Sequence, residues 1–183
     1  MSDVIYLRPI APPATAEDVY EASQHSGGCF DLHRVEWAHS FLAADGGRMM
    51  CWYRAPDAES VRLALRQLGS DMDAVDSCSL IGDEGMDKPD VSGVNAIAEV
   101  SFDRPFPADN GGWLQRFKAR LLEETGATFV LGFLSASCSR MVCLFQAGDT
   151  DSLHSALEAL DLPADAIWRC SLVTPGAATT QVP

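Results

Sequence analysis

Basic residues are scarce in this chain. Only 13 of its 183 residues are lysine or arginine, against 26 aspartates and glutamates, so the formal net charge is −13. Nucleic-acid-binding proteins depend on clustered lysine and arginine to neutralise phosphates, whereas the few basic residues here are scattered along the chain. The composition therefore argues against nucleic acid and anionic membranes as partners.

The sequence also lacks long apolar runs. No stretch approaches the roughly 18–20 apolar residues that span a bilayer, and residues 1–4 include no basic segment followed by an apolar one. Neither a transmembrane helix nor a secretory signal is predicted. We therefore expect a cytoplasmic protein.

Standard metal-binding and catalytic motifs are missing as well. The six cysteines form no CxxC pair, which argues against a zinc ribbon or a thioredoxin-type site. Cys51 and Cys143 fall beside small residues on predicted strands, so we expect buried structural thiols there. The sequence contains no GxSxG, Walker, GxGxxG or HExxH motif, and whether the protein is an enzyme stays open.

The sequence contains an internal repeat. Identical residues recur at an offset of 92 positions, and examples are Phe41-Leu42 with Phe133-Leu134 and Cys78-Ser79-Leu80 with Cys170-Ser171-Leu172. The offset predicts a tandem duplication. The predicted boundaries are a first copy over residues 1–82, a linker over 83–94, a second copy over 95–175 and a tail over 176–183.

Each copy has the pattern strand, helix, strand, strand, helix, strand. Thr15 and Asp18 have capping-box spacing at the start of the first helix, and Asp57 is expected to cap the second. This order is typical of the ferredoxin-like βαββαβ unit. The sequence therefore predicts an α+β fold of two tandem ferredoxin-like modules whose sheets pack face to face, as in the barrel of a dimer.

The hairpin around Asp45-Gly46-Gly47 suggests a ligand-binding cleft. Strand alternation predicts three pairs on one face of it: Phe41 with Met50, His39 with Trp52, and Trp37 with Arg54. A mostly apolar face with a few polar groups is typical of a ligand site, so Trp37, His39, Trp52 and Arg54 are predicted to line a cleft between the copies. The alternative is that His39 is a core histidine satisfied by one hydrogen bond.

A second candidate site lies on the first helix. His25, Cys29 and His33 are spaced i, i+4 and i+8, which aligns them along one ridge. A first-row transition ion binds imidazole and thiolate together, so this ridge is a candidate metal site. The alternative is a partly exposed ridge beside the core, since Gly27-Gly28 weakens the helix and the second copy lacks the ridge.

The stretches Val35-Glu-Trp-Ala-His-Ser-Phe41 and Met50-Cys-Trp-Tyr-Arg-Ala-Pro-Asp57 resemble a bacterial family described as nickel-binding-protein-like. Cys143-Leu-Phe-Gln-Ala147 resembles the same family again. Its members are small ferredoxin-like proteins that dimerise through their sheets. The resemblance implies a fused version of that dimer, either a monomer with pseudo-twofold symmetry or a homodimer, and it suggests nickel as a cofactor.

Three functions follow as hypotheses. The first is a binding protein for a transition metal or a small ligand. The second is a cofactor-independent enzyme in which His39 is the acid or base and Arg54 holds an anionic substrate. The third is a structural or interaction module with a filled interface.

Overall fold

The computed structural model describes residues 1–70, 74–82, 89–107 and 112–175. The first six elements are β1 Ser2–Pro9, α1 Ala16–Leu32, β2 Glu36–Ala43, β3 Arg48–Ala55, α2 Ala58–Gln67 and β4 Val75–Ile81. The next six are β5 Ala96–Ser101, α3 Trp113–Thr125, β6 Thr128–Ser135, β7 Arg140–Gln146, α4 Thr150–Ala159 and β8 Ala166–Val173. Within these ranges no helix is both long and apolar enough to cross a bilayer.

The predicted fold class, an α+β fold of two tandem ferredoxin-like modules whose sheets pack face to face as in the barrel of a dimer, is wrong. The eight strands instead form one closed barrel in the order β1-β3-β2-β8-β5-β7-β6-β4. Hydrophobic alternation identifies strands and their faces, but it says nothing about which strand lies beside each edge. A four-stranded sheet leaves unpaired N–H and C=O groups at two edges, and closing the barrel removes those edges.

The β2–β3 hairpin confirms part of the predicted register. Two of the three predicted pairs are present, Phe41 with Met50 and His39 with Trp52. The third is wrong, because the register shifts between Trp37 and His39 and places Trp37 opposite Tyr53 instead of Arg54. A one-residue shift turns a side chain to the other face of the sheet, and Trp37 consequently packs against the helix-covered core.

The chain divides into two compact units. Unit 1 comprises residues 1–78 and the described residues from 171 onward, and unit 2 comprises residues 79–170. Each unit has a core in which two helices cover one face of its strands, here called the helix-side face. The predicted boundaries at 82, 94 and 175 stay predictions, and residues 83–88 and 176–183 lie outside the described ranges.

The helix caps follow the sequence. Thr15 and Asp18 form a capping box at the start of α1, in which the Thr15 side chain accepts from the Asp18 backbone N–H. The Asp57 carboxylate accepts from the Ser60 backbone N–H over 2.8 Å at the start of α2. Both predicted caps are confirmed, and they satisfy N–H groups that a helix terminus leaves without a backbone partner.

A pair of glycines lies inside α1, and alanine at both positions is expected to stabilise the protein. A Cβ atom added at Gly27 or Gly28 meets no heavy atom within 4 Å. Glycine in a helix interior costs roughly 0.5–1 kcal/mol relative to alanine. We therefore expect Gly27→Ala with Gly28→Ala to raise the free energy of unfolding by about 1–2 kcal/mol, measured by urea titration.

Gly126→Ala is the matched control for that substitution. Gly126 also has open space around a built Cβ, but its φ is +70°. The left-handed region costs an L-residue roughly 1–2 kcal/mol, so this control should destabilise the protein. A double alanine variant less stable than the wild type would contradict the placement of Gly27 and Gly28 in the interior of α1 with open space beside them.

Candidate functional site

A cavity of about 290 Å³ lies inside unit 1, between its two helices and the helix-side face of the strands. The larger apolar side chains that line it are Val19, Phe30, Trp37, Met49, Leu65 and Leu68. Ligand pockets generally begin at about 300 Å³ and are mostly apolar with a few polar groups. The cavity therefore has the size and the lining of a site for a small organic molecule.

One charged side chain reaches this cavity from β1. Arg8 lines it, and the Nε atom of Arg8 is buried without a hydrogen-bond partner. The guanidinium lies over the ring of Tyr6, 5.6 Å from the ring centroid. A buried donor without a partner is costly, the more so in a charged group. The arrangement therefore favours an acceptor brought by a bound molecule.

A row of hydrogen bonds runs along the cavity wall. The Nε1–H group of Trp37 donates to Ser40 Oγ over 3.0 Å. The Ser40 hydroxyl donates to Cys51 Sγ over 3.0 Å, and Tyr53 is a second hydrogen-bond partner of Cys51. The register positions this row, because Trp37 pairs with Tyr53 and Ser40 with Cys51.

Burial raises the pKa of Cys51 and raises the pKa of Tyr53 well above its usual value. Loss of solvation of the charged form is the largest cause at both groups, and the positive charge of Arg8 opposes it only in part. Both groups therefore stay protonated near neutral pH. Since the thiolate is the nucleophilic form of cysteine, Cys51 is held in its less reactive form.

Unit 2 has small or apolar residues where unit 1 has these polar ones. Strand pairing matches four positions, with unit 1 first: Tyr6 and Ala98, Arg8 and Val100, Ser40 and Gly132, Tyr53 and Phe145. A Cβ built on Gly132 would lie 3.1 Å from the ring of Phe129, so the space beside that glycine is already filled. The same strand framework thus bears these polar side chains in unit 1 and small or apolar ones in unit 2.

The first helices of the two units differ in the size of the side chains on the face that packs against the strands. Ala22 and Ser26 of α1 both line the cavity. Counted back from the last buried residue of each helix, Trp113 and Phe117 occupy the corresponding positions of α3. Their rings stack with centroids 4.8 Å apart. Small side chains on α1 thus leave a volume that aromatic rings occupy in unit 2.

The four residues predicted to form a cleft are not all brought together. His39 and Trp52 lie opposite each other with ring centroids 5.6 Å apart. Trp52 Nε1 donates to Asp3 Oδ1 over 2.9 Å, and Arg54 Nε lies 3.8 Å from the same oxygen. Trp37 faces the helices instead. A ligand-binding role for His39, Trp52 and Arg54 stays a prediction.

The predicted metal ridge runs along the second half of α1 and ends at its C-cap residue, His33. Residues eight apart in an α-helix are about 12 Å apart along its axis, so the side chains of His25 and His33 would have to extend toward each other to share one ion. His25 Nδ1 lies 2.7 Å from the Glu21 carbonyl oxygen, to which it donates. Across the described ranges, no group of three or more His, Cys, Asp or Glu is placed to hold a metal. The metal site, including Cys29, stays a prediction.

Tyr6, Arg8, Ser40 and Tyr53 were not predicted as site residues. The predicted burial of Cys51 and Cys143 is confirmed, since they are 4% and 0% exposed. The missed signal was a comparison of the two copies on the helix-side face, where polar residues of one copy match small or apolar residues of the other. For Ser40 and Tyr53 the 92-residue offset supplies the match, to Gly132 and Phe145. For Tyr6 and Arg8 the comparison requires the β1 and β5 pairings, which sequence spacing alone did not supply.

Residues 5–77 match the model of a family described as Nickel responsive protein SCO4226-like. That stretch includes every described residue that lines the cavity. The likeness is therefore to the part of the chain that holds the candidate site. No protein of curated function matches the chain.

Two solved structures resemble the chain over nearly its whole length. One is a protein provisionally described as a chlorite dismutase, with a TM-score of 0.53 and 12% identity over 97% of this chain and 96% of that one. The other is an anthrone oxidase-like protein, with a TM-score of 0.52 and 10% identity over 98% of this chain and 95% of that one. At such low identity the likeness concerns the fold alone.

Proposed function

We propose that this chain is a binding protein for a small organic molecule that occupies the cavity of unit 1. The main support for this proposal is the difference between the two units. Four matched positions that are small or apolar in unit 2 bear Tyr6, Arg8, Ser40 and Tyr53 in unit 1. An unfilled volume and a half-buried charge whose Nε has no hydrogen-bond partner both reduce stability, so a bound ligand is the simplest reason for having both at one place.

The chemistry of the wall supports binding over catalysis. Cys51 and Tyr53 remain protonated near neutral pH because burial raises their pKa values. The Cys51 sulfur is also engaged by the Ser40 hydroxyl. Among the described lining residues there is accordingly no thiolate, and the polar groups act as hydrogen-bond donors and as a fixed positive charge.

A titration with indole, followed by NMR, tests this proposal. Indole is a neutral, flat molecule of a size that suits the cavity, and we expect a dissociation constant on the order of 0.1–1 mM. The largest shift changes should fall at Ser26, Phe30 and Trp37. His39→Ala is the control and should bind equally well, because His39 lies on the opposite face of the sheet from the cavity.

Two results of that titration would count against the proposal. Absence of indole binding would count against a site for a neutral aromatic molecule in this cavity. Shift changes centred on His39 and Trp52, lost in His39→Ala, would move the site to the face that sequence analysis favoured.

Nickel is the second candidate ligand, because the family whose model matches residues 5–77 is described as nickel responsive. His25 and Cys29 are one helical turn apart, and such a pair fits two ligands of an ion. Addition of nickel to the same sample should broaden signals near these two residues if they bind it. Retention of that broadening in His25→Ala would exclude the pair.

A further inference from the structure

We infer that the ligand of this cavity is an aromatic monocarboxylate whose carboxylate pairs with the Arg8 guanidinium. The inference rests on the proposed function and adds the chemical class of the ligand. Two observations define that class: a positive charge inside the cavity and an aromatic wall around it. Each restricts the ligand independently of the other.

The charge of the ligand follows from Arg8. Its Nε is buried without a hydrogen-bond partner, and no aspartate or glutamate among residues 1–70 and 74–82 lines the cavity. The charge of the cavity lining is therefore opposite in sign to that of the whole chain, whose formal net charge is −13. A guanidinium has a planar fork of donors that matches the two oxygens of a carboxylate, so an anion of that shape is the matching occupant.

A single negative charge fits better than two. Among the described lining residues Arg8 is the one permanent cation, and no lysine accompanies it. His25 lies at the exposed rim, where its Nδ1 is held by the Glu21 carbonyl. A phosphate dianion in a largely apolar cavity would keep a charge without a partner, which is costly. A carboxylate is neutralised by Arg8 alone.

The aromatic side chains that line the cavity indicate the apolar part of the ligand. Phe30 and Tyr53 meet edge to face with ring centroids 5.4 Å apart, and Trp37 also lines the cavity. Aromatic rings pair favourably with one another in offset or edge-to-face arrangements. A cavity of roughly 150 Å³ can hold benzene, and this one is about 290 Å³, which leaves room for a fused bicyclic ring with one small substituent.

The test compares indole-3-carboxylate with indole-3-carboxamide by titration calorimetry at neutral pH. The two probes have nearly the same shape and differ in charge. We expect the acid to bind wild type at least about 10-fold more tightly than the amide. In Arg8→Gln the acid should lose on the order of 10- to 100-fold in affinity, while the amide should change little.

Arg104→Gln is the matched control, because it removes the same charge from an exposed arginine that also precedes a proline. It should leave both affinities unchanged. Arg8→Lys keeps the charge but not the planar fork, and it should bind the acid with intermediate affinity. Circular dichroism of each variant separates loss of binding from loss of folding, and Arg8→Lys remains informative if Arg8→Gln does not fold.

The outcomes distinguish the two proposals. Equal affinity of acid and amide for wild type would overturn the carboxylate inference while leaving the proposed function in place. An acid preference that persists in both Arg8 variants would also overturn it, by placing the anion elsewhere. Failure of indole, the acid and the amide to bind would remove the proposed function itself.

Discussion

Replacing Phe117 with alanine is expected to lower the free energy of unfolding by about 4 kcal/mol. Phe117 is 3% exposed in the core of unit 2. Its ring stacks on Trp113 with centroids 4.8 Å apart and meets Phe129 edge to face at 5.6 Å. Truncation removes the buried ring and leaves a void between these two neighbours, and both effects reduce stability.

Urea titration of Phe117→Ala beside the wild type measures this loss. Leu122→Ala on the same helix is the control, because Leu122 is 56% exposed and its truncation should cost less than about 0.5 kcal/mol. Benzene should restore part of the stability of Phe117→Ala by occupying the new void. A cost below about 1 kcal/mol would mean that the aromatic cluster of unit 2 is loosely packed.

Replacing Ser26 with phenylalanine is expected to abolish ligand binding without loss of stability. Ser26 lines the cavity of unit 1, and the corresponding position of α3 bears Phe117. A ring at position 26 should fill the volume that the ligand needs, and we expect indole affinity to fall by at least about 100-fold. Serine and phenylalanine have similar helix propensities, so the helix itself should tolerate the change.

The lost serine hydroxyl is of little consequence, because it donates only to the carbonyl of Ala22, one turn earlier. Such backbone contacts inside a helix are neutral or slightly unfavourable. Gln24→Phe is the control, since Gln24 is exposed on the same helix. This substitution should leave the affinity for indole unaltered. Wild-type affinity in Ser26→Phe, in a variant that folds normally, would place the ligand outside this cavity.

Local features of the fold could be predicted from the sequence because local contacts determine them. The caps at Thr15 and Asp57 depend on residues three positions away, and both are present as expected. The register of β2 and β3 was correct nearest the turn, at Phe41 and His39. It failed beyond the irregularity at Trp37, since nothing in the alternation of apolar residues marks an inserted residue.

Long-range features were predicted poorly because they depend on partners distant in the chain. The strand faces were assigned from alternation, but the closed order of eight strands depends on the pairing of strand edges, for which the sequence has no comparable signal. Arg8 was not among the predicted site residues. Its guanidinium lies over the ring of Tyr6 in a cavity that residues of α1 also line, and neither feature follows from its neighbours in sequence.

The glycine pair of α1 has a kinetic consequence for the cavity. Gly27 and Gly28 lie between Ser26 and Phe30, two residues of the cavity wall. A turn that contains two glycines opens more readily than the rest of its helix, and segments that admit ligands are drawn from the least stable parts of a fold. Amide hydrogen exchange should accordingly be faster in this turn than in the rest of the interior of α1, and a bound ligand should slow it there first.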